Sequence, residues 1–94
     1  MRLALAQIDP LVGDLPGNAR LLLECSQRAA AAGADLVVSP ELSLWGDPPR
    51  DLLLRPALRE EQGAQLSRLA AQLPAATALL VGVAAPLPGP RLPD

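Results

Sequence analysis

Apolar residues first gather at Leu3-Ala4-Leu5-Ala6 and Ile8, and Asp9-Pro10 closes the run. A short apolar run bounded by a turn signal predicts a strand over residues 2–8. The next apolar positions, Leu15, Ala19, Leu22, Cys25-Ser26, Ala29 and Ala32, recur at helical spacing. They predict a helix reaching about Ala32, with Gly33 as its left-handed stop. Asp14 or Asn18 can cap its start, and Pro16 suits its first turn. Arg20, Glu24 and Arg28 lie four apart on another face, where alternating signs lend mild support.

A second strand is predicted from Asp35 to Ser39, and Pro40 ends it. The chain then runs through Glu41 into Leu42-Ser43-Leu44-Trp45-Gly46-Asp47-Pro48-Pro49-Arg50, a loop rich in glycine and proline. Asp51 can cap a short helical turn over Leu52–Arg55. Pro56 suits the first turn of a longer helix that reaches Leu73 and is stopped by Pro74. Leu66, Leu69, Ala70 and Leu73 are its expected buried stripe. A third strand, residues 77–85, is apolar almost throughout, as a strand covered on both faces is. Strand, helix, strand, helices, strand is an α/β order, with parallel strands and right-handed crossovers.

Composition changes the picture in two ways. At 94 residues the chain is small for a domain, and its burial rests on alanine and leucine with a single aromatic residue, Trp45. Eleven prolines and seven glycines punctuate it, most densely in the tail from Pro86 to Asp94. A chain ending inside such a loop is expected to be the N-terminal piece of something longer. Taken alone, it is expected to be marginal or to aggregate, because its apolar strands present unpaired edges.

The second change concerns chemistry. All eight basic residues are arginine, and histidine is absent. No imidazole or amine side chain is available, so neither a Ser-His-Asp triad nor a self-contained metal site is expected within these residues. A net charge of −2 without a basic cluster argues against nucleic acid as a partner. One cysteine excludes an internal disulfide and fits a reducing compartment. There is no signal-peptide pattern, and the apolar stretch 75–85 is half the ~20 residues a membrane span needs. The cytoplasm is the expected location.

Glu41 is the candidate catalytic residue, because it stands where a parallel sheet opens into its loops, the usual place for ligands and reactive groups. A carboxylate buried between Pro40 and Leu42 would have a raised pKa, useful for moving protons near neutrality. The same position also fits a solvated turn residue, and position alone does not decide between them. Cys25, on the core stripe of a helix, reads as a small hydrophobe rather than a nucleophile. Asp14, Asp47 and Asp51 read as caps or turn formers. Trp45 fits a binding wall and a core plug equally.

Three blocks then point to a family. Leu3-Ala4-Leu5-Ala6-Gln7, Val12-Gly13-Asp14 with Asn18, and Gly33-Ala34-Asp35-Leu36-Val37-Val38-Ser39-Pro40-Glu41-Leu42 resemble the opening of the nitrilase superfamily of carbon–nitrogen hydrolases. Pro48-Pro49-Arg50-Asp51-Leu52-Leu53-Leu54-Arg55-Pro56 is similar, more narrowly, to the glutaminase domain of glutamine-dependent NAD synthetases. The resemblance implies the N-terminal part of a four-layer α-β-β-α sandwich and a Glu-Lys-Cys triad in which Glu41 matches the general base. It implies glutamine as substrate, with ammonia passed to an ATP- and magnesium-dependent domain that converts deamido-NAD to NAD. It also implies a homo-oligomer when full length.

The chain departs from the family pattern in places. It has no lysine, and Cys25 lies on the wrong element, so the resemblance puts both triad partners beyond Asp94. Asp47 stands where the family commonly has an aromatic residue, often tyrosine, and Asp9 where asparagine is common. No cofactor is expected within this chain. A stand-alone amidase acting on another small amide, and a non-catalytic truncated remnant, are the alternative readings.

Overall fold

The computed structural model describes residues 1–40, 43–46 and 56–83. Three short strands, β1 (Leu3–Leu5), β2 (Leu36–Val38) and β3 (Ala78–Leu80), alternate with two helices, α1 (Leu15–Ala31) and α2 (Pro56–Gln72). The strands form one parallel sheet in the order β1-β2-β3. Leu3 pairs with Leu36 and Leu36 with Ala78, which sets the register across the sheet. The class is α/β with parallel strands, as the element order predicts.

Local chemistry explains where α1 starts and stops. The Asp14 carboxylate accepts from the Gly17 amide at 3.1 Å, satisfying one of the free N–H groups of the first turn. Pro16 sits in that first turn, where a missing N–H costs nothing. At the other end the Gly33 amide donates to the Ala30 carbonyl and the Ala34 amide to the Ala29 carbonyl, both at 2.9 Å. This paired closure requires a left-handed residue, and Gly33 has φ 89°. Arg2 then ties the exit to β1. Its amide donates to the Asp35 carboxylate at 2.7 Å, and its guanidinium caps the Ala32 carbonyl at 2.7 Å.

Leu15, Ala19 and Leu22 of α1, Leu44 and Trp45 of the segment after β2, and Leu69 of α2 form the buried core. Two expected stripes are corrected. Ala32 is exposed, because α1 ends at Ala31 and the helical phase ends with it. On α2 the buried residues are Gln62, Gln65 and Leu69, while Leu66 and Leu73 are half-buried and Ala70 is exposed. The glutamines can be inside because they are bonded. Gln62 accepts from the Trp45 indole at 2.7 Å, and Gln65 donates to the Glu61 carboxylate at 2.8 Å.

The Ser26 hydroxyl is different. It is buried in α1 with no hydrogen-bond partner among the described residues. An unpaired hydroxyl in an apolar setting is a cost, so Ser26→Ala should stabilise the protein by about 1 kcal/mol. A urea midpoint that falls in the variant would show that the hydroxyl has a partner.

Side chains alternate along a strand, so Leu3, Leu36 and Ala78 share a sheet face with Leu5, Val38 and Leu80. On the opposite face Val37 is fully buried and Leu79 packs against the core. The first face is open: Leu3 is 58% exposed, Leu5 69% and Leu80 59%. β3 is therefore covered on one face only, against the expectation for its apolar run. Strands added in one direction by crossovers of one hand put both helices on the same side. The 94-residue chain by itself should accordingly bind an apolar dye such as ANS and self-associate. A monomer that binds no dye and melts in one sharp transition would contradict this.

Candidate functional site

β2 is the central strand, and the segment leaving its carboxyl end carries the candidate base. Glu41 and Leu42 lie outside the described residues. So do Asp47, the Pro48-Pro49 pair, Asp51 with the short turn expected over Leu52–Arg55, and the end of the third strand at Ala84-Ala85. The residues on either side of Glu41 and Leu42 are bonded. On the strand side, the Ser39 amide and hydroxyl both donate to the Leu80 carbonyl, at 3.1 and 2.9 Å, which fastens the end of β2 to the end of β3. On the far side, the Ser43 amide returns to the Pro40 carbonyl at 3.2 Å. The Ser43 hydroxyl, itself buried, donates to the Ser39 hydroxyl at 3.0 Å.

Residues 43–46 are held in turn by the β1–α1 loop. Asn18, 1% exposed, uses its carboxamide on two segments at once. Its Oδ1 accepts from the Leu11 amide at 2.8 Å, and its Nδ2 donates to the carbonyls of Leu11 at 2.8 Å and Leu44 at 2.9 Å. Just beyond these contacts the backbones bond directly, the Gly13 amide donating to the Trp45 carbonyl at 2.8 Å. Gly46, at φ 81°, lies so close to this loop that a Cβ there would come 2.7 Å from the Val12 Cα. Side chain and backbone together make a clasp between residues 11–13 and 44–46.

The sequence offered Asp14 or Asn18 as the cap of α1; Asp14 is the cap, and Asn18 is the clasp. The sequence carries a signal for it: Leu15, Asn18, Ala19 and Leu22 follow helical spacing, which puts a polar residue on the apolar stripe. Trp45, equally a wall or a plug by sequence, is fully buried in the core and is a plug. Cys25 is half-buried on α1, consistent with a packing role. A shallow groove bordered by Glu24, Gln27, Arg28 and Ala31 lies on the last turns of α1, which end at the opposite edge of the sheet. Among the described residues no group of three potential metal ligands comes together. Nor is any described helix long and apolar enough to cross a membrane.

The arrangement therefore brings two loops together at the carboxyl edge of a parallel sheet and ties down both sides of a glutamate. Comparison with known proteins gives that edge a context. The Carbon-nitrogen hydrolase family matches residues 2–90. Glutamine-dependent NAD(+) synthetase of Synechocystis sp. is 43% identical over 84 residues, which are 89% of this chain and 15% of that protein. The protein of the same name from Thermotoga maritima is 41% identical over 70 residues, covering 74% and 12%. The chain thus spans about one seventh of the length of such curated relatives.

Among solved structures, glutamine-dependent NAD+ synthetase from Acinetobacter baumannii, in complex with ADP, aligns with a TM-score of 0.69 at 34% identity, over 84% of this chain and 15% of that one. An amidase from Nesterenkonia sp. aligns with a TM-score of 0.67 at 32% identity, over 76% and 27%. The fold of this chain is thus similar to part of each of these two proteins. With the family match running almost from end to end, the chain belongs to the carbon–nitrogen hydrolases.

Proposed function

We propose that this chain is the N-terminal portion of the glutaminase domain of a glutamine-dependent NAD synthetase, and that Glu41 is its general base. The observation that carries this reading is the likeness to proteins of that name, which extends over 84 residues in one relative and so runs well beyond the strand that ends at Pro40. The open apolar face at Leu3, Leu5 and Leu80 supports the view that further parts of the domain cover the sheet.

In this reading a cysteine thiol contributed by the rest of the domain attacks the side-chain amide of glutamine. The Glu41 carboxylate takes the thiol proton as the sulfur–carbon bond forms. It returns that proton to the departing nitrogen, so that ammonia leaves and a thioester remains. Glu41 then takes a proton from water, whose oxygen displaces the sulfur and releases glutamate, and hands that proton to the departing thiolate. A lysine stabilises the oxyanion at each tetrahedral stage, where a fixed charge in a dry pocket is most effective. Neither lysine nor nucleophilic cysteine is drawn from these 94 residues, so the chain alone would be inactive. ATP, magnesium and deamido-NAD are assigned to a separate synthetase domain of a cytoplasmic homo-oligomer.

A second reading, a free amidase, is favoured by the likeness to the Nesterenkonia enzyme. The two separate in one assay of the full-length protein with deamido-NAD, ATP, magnesium and either glutamine or ammonium. NAD formed from both nitrogen donors, with glutamate released only from glutamine, is the expected result. Amide hydrolysis with no NAD from either donor would overturn the synthetase reading in favour of the amidase.

A further inference from the structure

We infer that Asn18 is a positioning residue for the general base, acting through the segment that follows Glu41; this rests on the role proposed for Glu41. A buried carboxamide is costly unless its donors and acceptor are matched. In Asn18 both amide protons and the oxygen are used, and the reciprocal pair with Leu11 fixes which way the amide faces. The third bond, to the Leu44 carbonyl, joins residues 26 apart in sequence. Helix α1 does not need this amide, since Asp14 caps it. An apolar side chain would fill the same place on the stripe without a desolvation cost. What the amide adds is a second link between the two loops, beside the backbone bond from Gly13 to Trp45.

Leu44 stands three residues along the chain from position 41. From Leu44 the chain goes back one residue to Ser43, whose amide is bonded to Pro40 and whose hydroxyl is bonded to Ser39. Both bonds reach the strand side of Glu41, so a shift of Leu44 has little slack to absorb it. The clasp is tight on its other side as well, where Gly46 meets the backbone of Val12. A reacting group displaced by ~1 Å can lose ~100-fold in rate, so a loosened clasp is a catalytic fault before it is a folding fault.

The test uses the full-length protein with Asn18→Leu and, independently, Gly46→Ala, which disturbs the same clasp without touching the amide. Both variants should lower kcat for glutamine hydrolysis by about 10- to 100-fold with KM changed by less than about threefold. NAD formation from ammonium should stay near wild type, since it bypasses the glutamine site. Provided the protein's other tryptophans are first replaced, Trp45 emission should shift to the red and become more open to acrylamide quenching, because its carbonyl is part of the clasp. A structural role alone would instead lower both activities in parallel with the melting temperature, and that result overturns the inference. So does an Asn18→Leu protein with wild-type kcat on glutamine while Glu41→Gln is inactive; here the proposed function survives and the positioning role does not. A wild-type protein inert towards glutamine overturns both together.

Discussion

In the full-length protein, Glu41→Gln should lower glutamine-dependent NAD formation by about 10²- to 10⁴-fold, the range a positioned general base contributes. Formation from ammonium should stay within about twofold of wild type, since no proton transfer at the glutamine site is then needed. Glutamine has the shape of glutamate but its amide accepts no proton at neutral pH, so the substitution removes the base and little else. The loss should fall on kcat and kcat/KM together, because the proton moves only on the way to the transition state. The flanking structure makes this a fair test. Among the described residues, Ser39 and Ser43 bond to each other and Ser39 to the Leu80 carbonyl. Unchanged glutamine turnover would remove Glu41 from the reaction. A parallel loss of the ammonium activity would mean that the substitution disturbs the fold.

Much of the framework was legible because it is local. Asp14, Pro16 and Gly33 act within a turn of their own positions, so the ends of α1 follow from neighbouring residues. The parallel order follows from crossovers too long for hairpins. What was not legible depended on residues distant in sequence. Gln62 is buried because Trp45, 17 residues away, offers it a partner, and an apolar-stripe rule misses it for that reason. Leu5 and Leu80 have the hydrophobicity of buried residues but face the open side of the sheet. No pattern within a strand states how many layers will cover it. The site divides in the same way. Glu41 is a candidate on the strength of one strand and one proline, whereas Asn18 has meaning only once Leu11 and Leu44 are beside it.

Trp45→Ala should cost about 3–5 kcal/mol of folding stability, the usual range for deleting a large aromatic side chain from a core. Trp45 is the largest fully buried side chain, and it is the one aromatic residue of a core otherwise made of leucine and alanine. Few neighbours are large enough to collapse into the space, so the cavity term should be near its upper end. Against a typical total of ~5–15 kcal/mol, such a loss is a large share of what holds a domain folded. Trp45→Phe should cost less. It keeps most of the buried ring but loses the indole bond to Gln62, worth about 1 kcal/mol net, with a smaller term for lost volume. Urea unfolding followed by far-UV circular dichroism measures both, since the fluorophore is gone in each variant. The order of the two effects distinguishes a plug from a binding wall. A plug gives a graded loss of stability, alanine far worse than phenylalanine, with KM for glutamine unchanged in whatever remains folded. A wall would give a small stability change in both variants and a raised KM, and that outcome would return Trp45 to the substrate side of the loop.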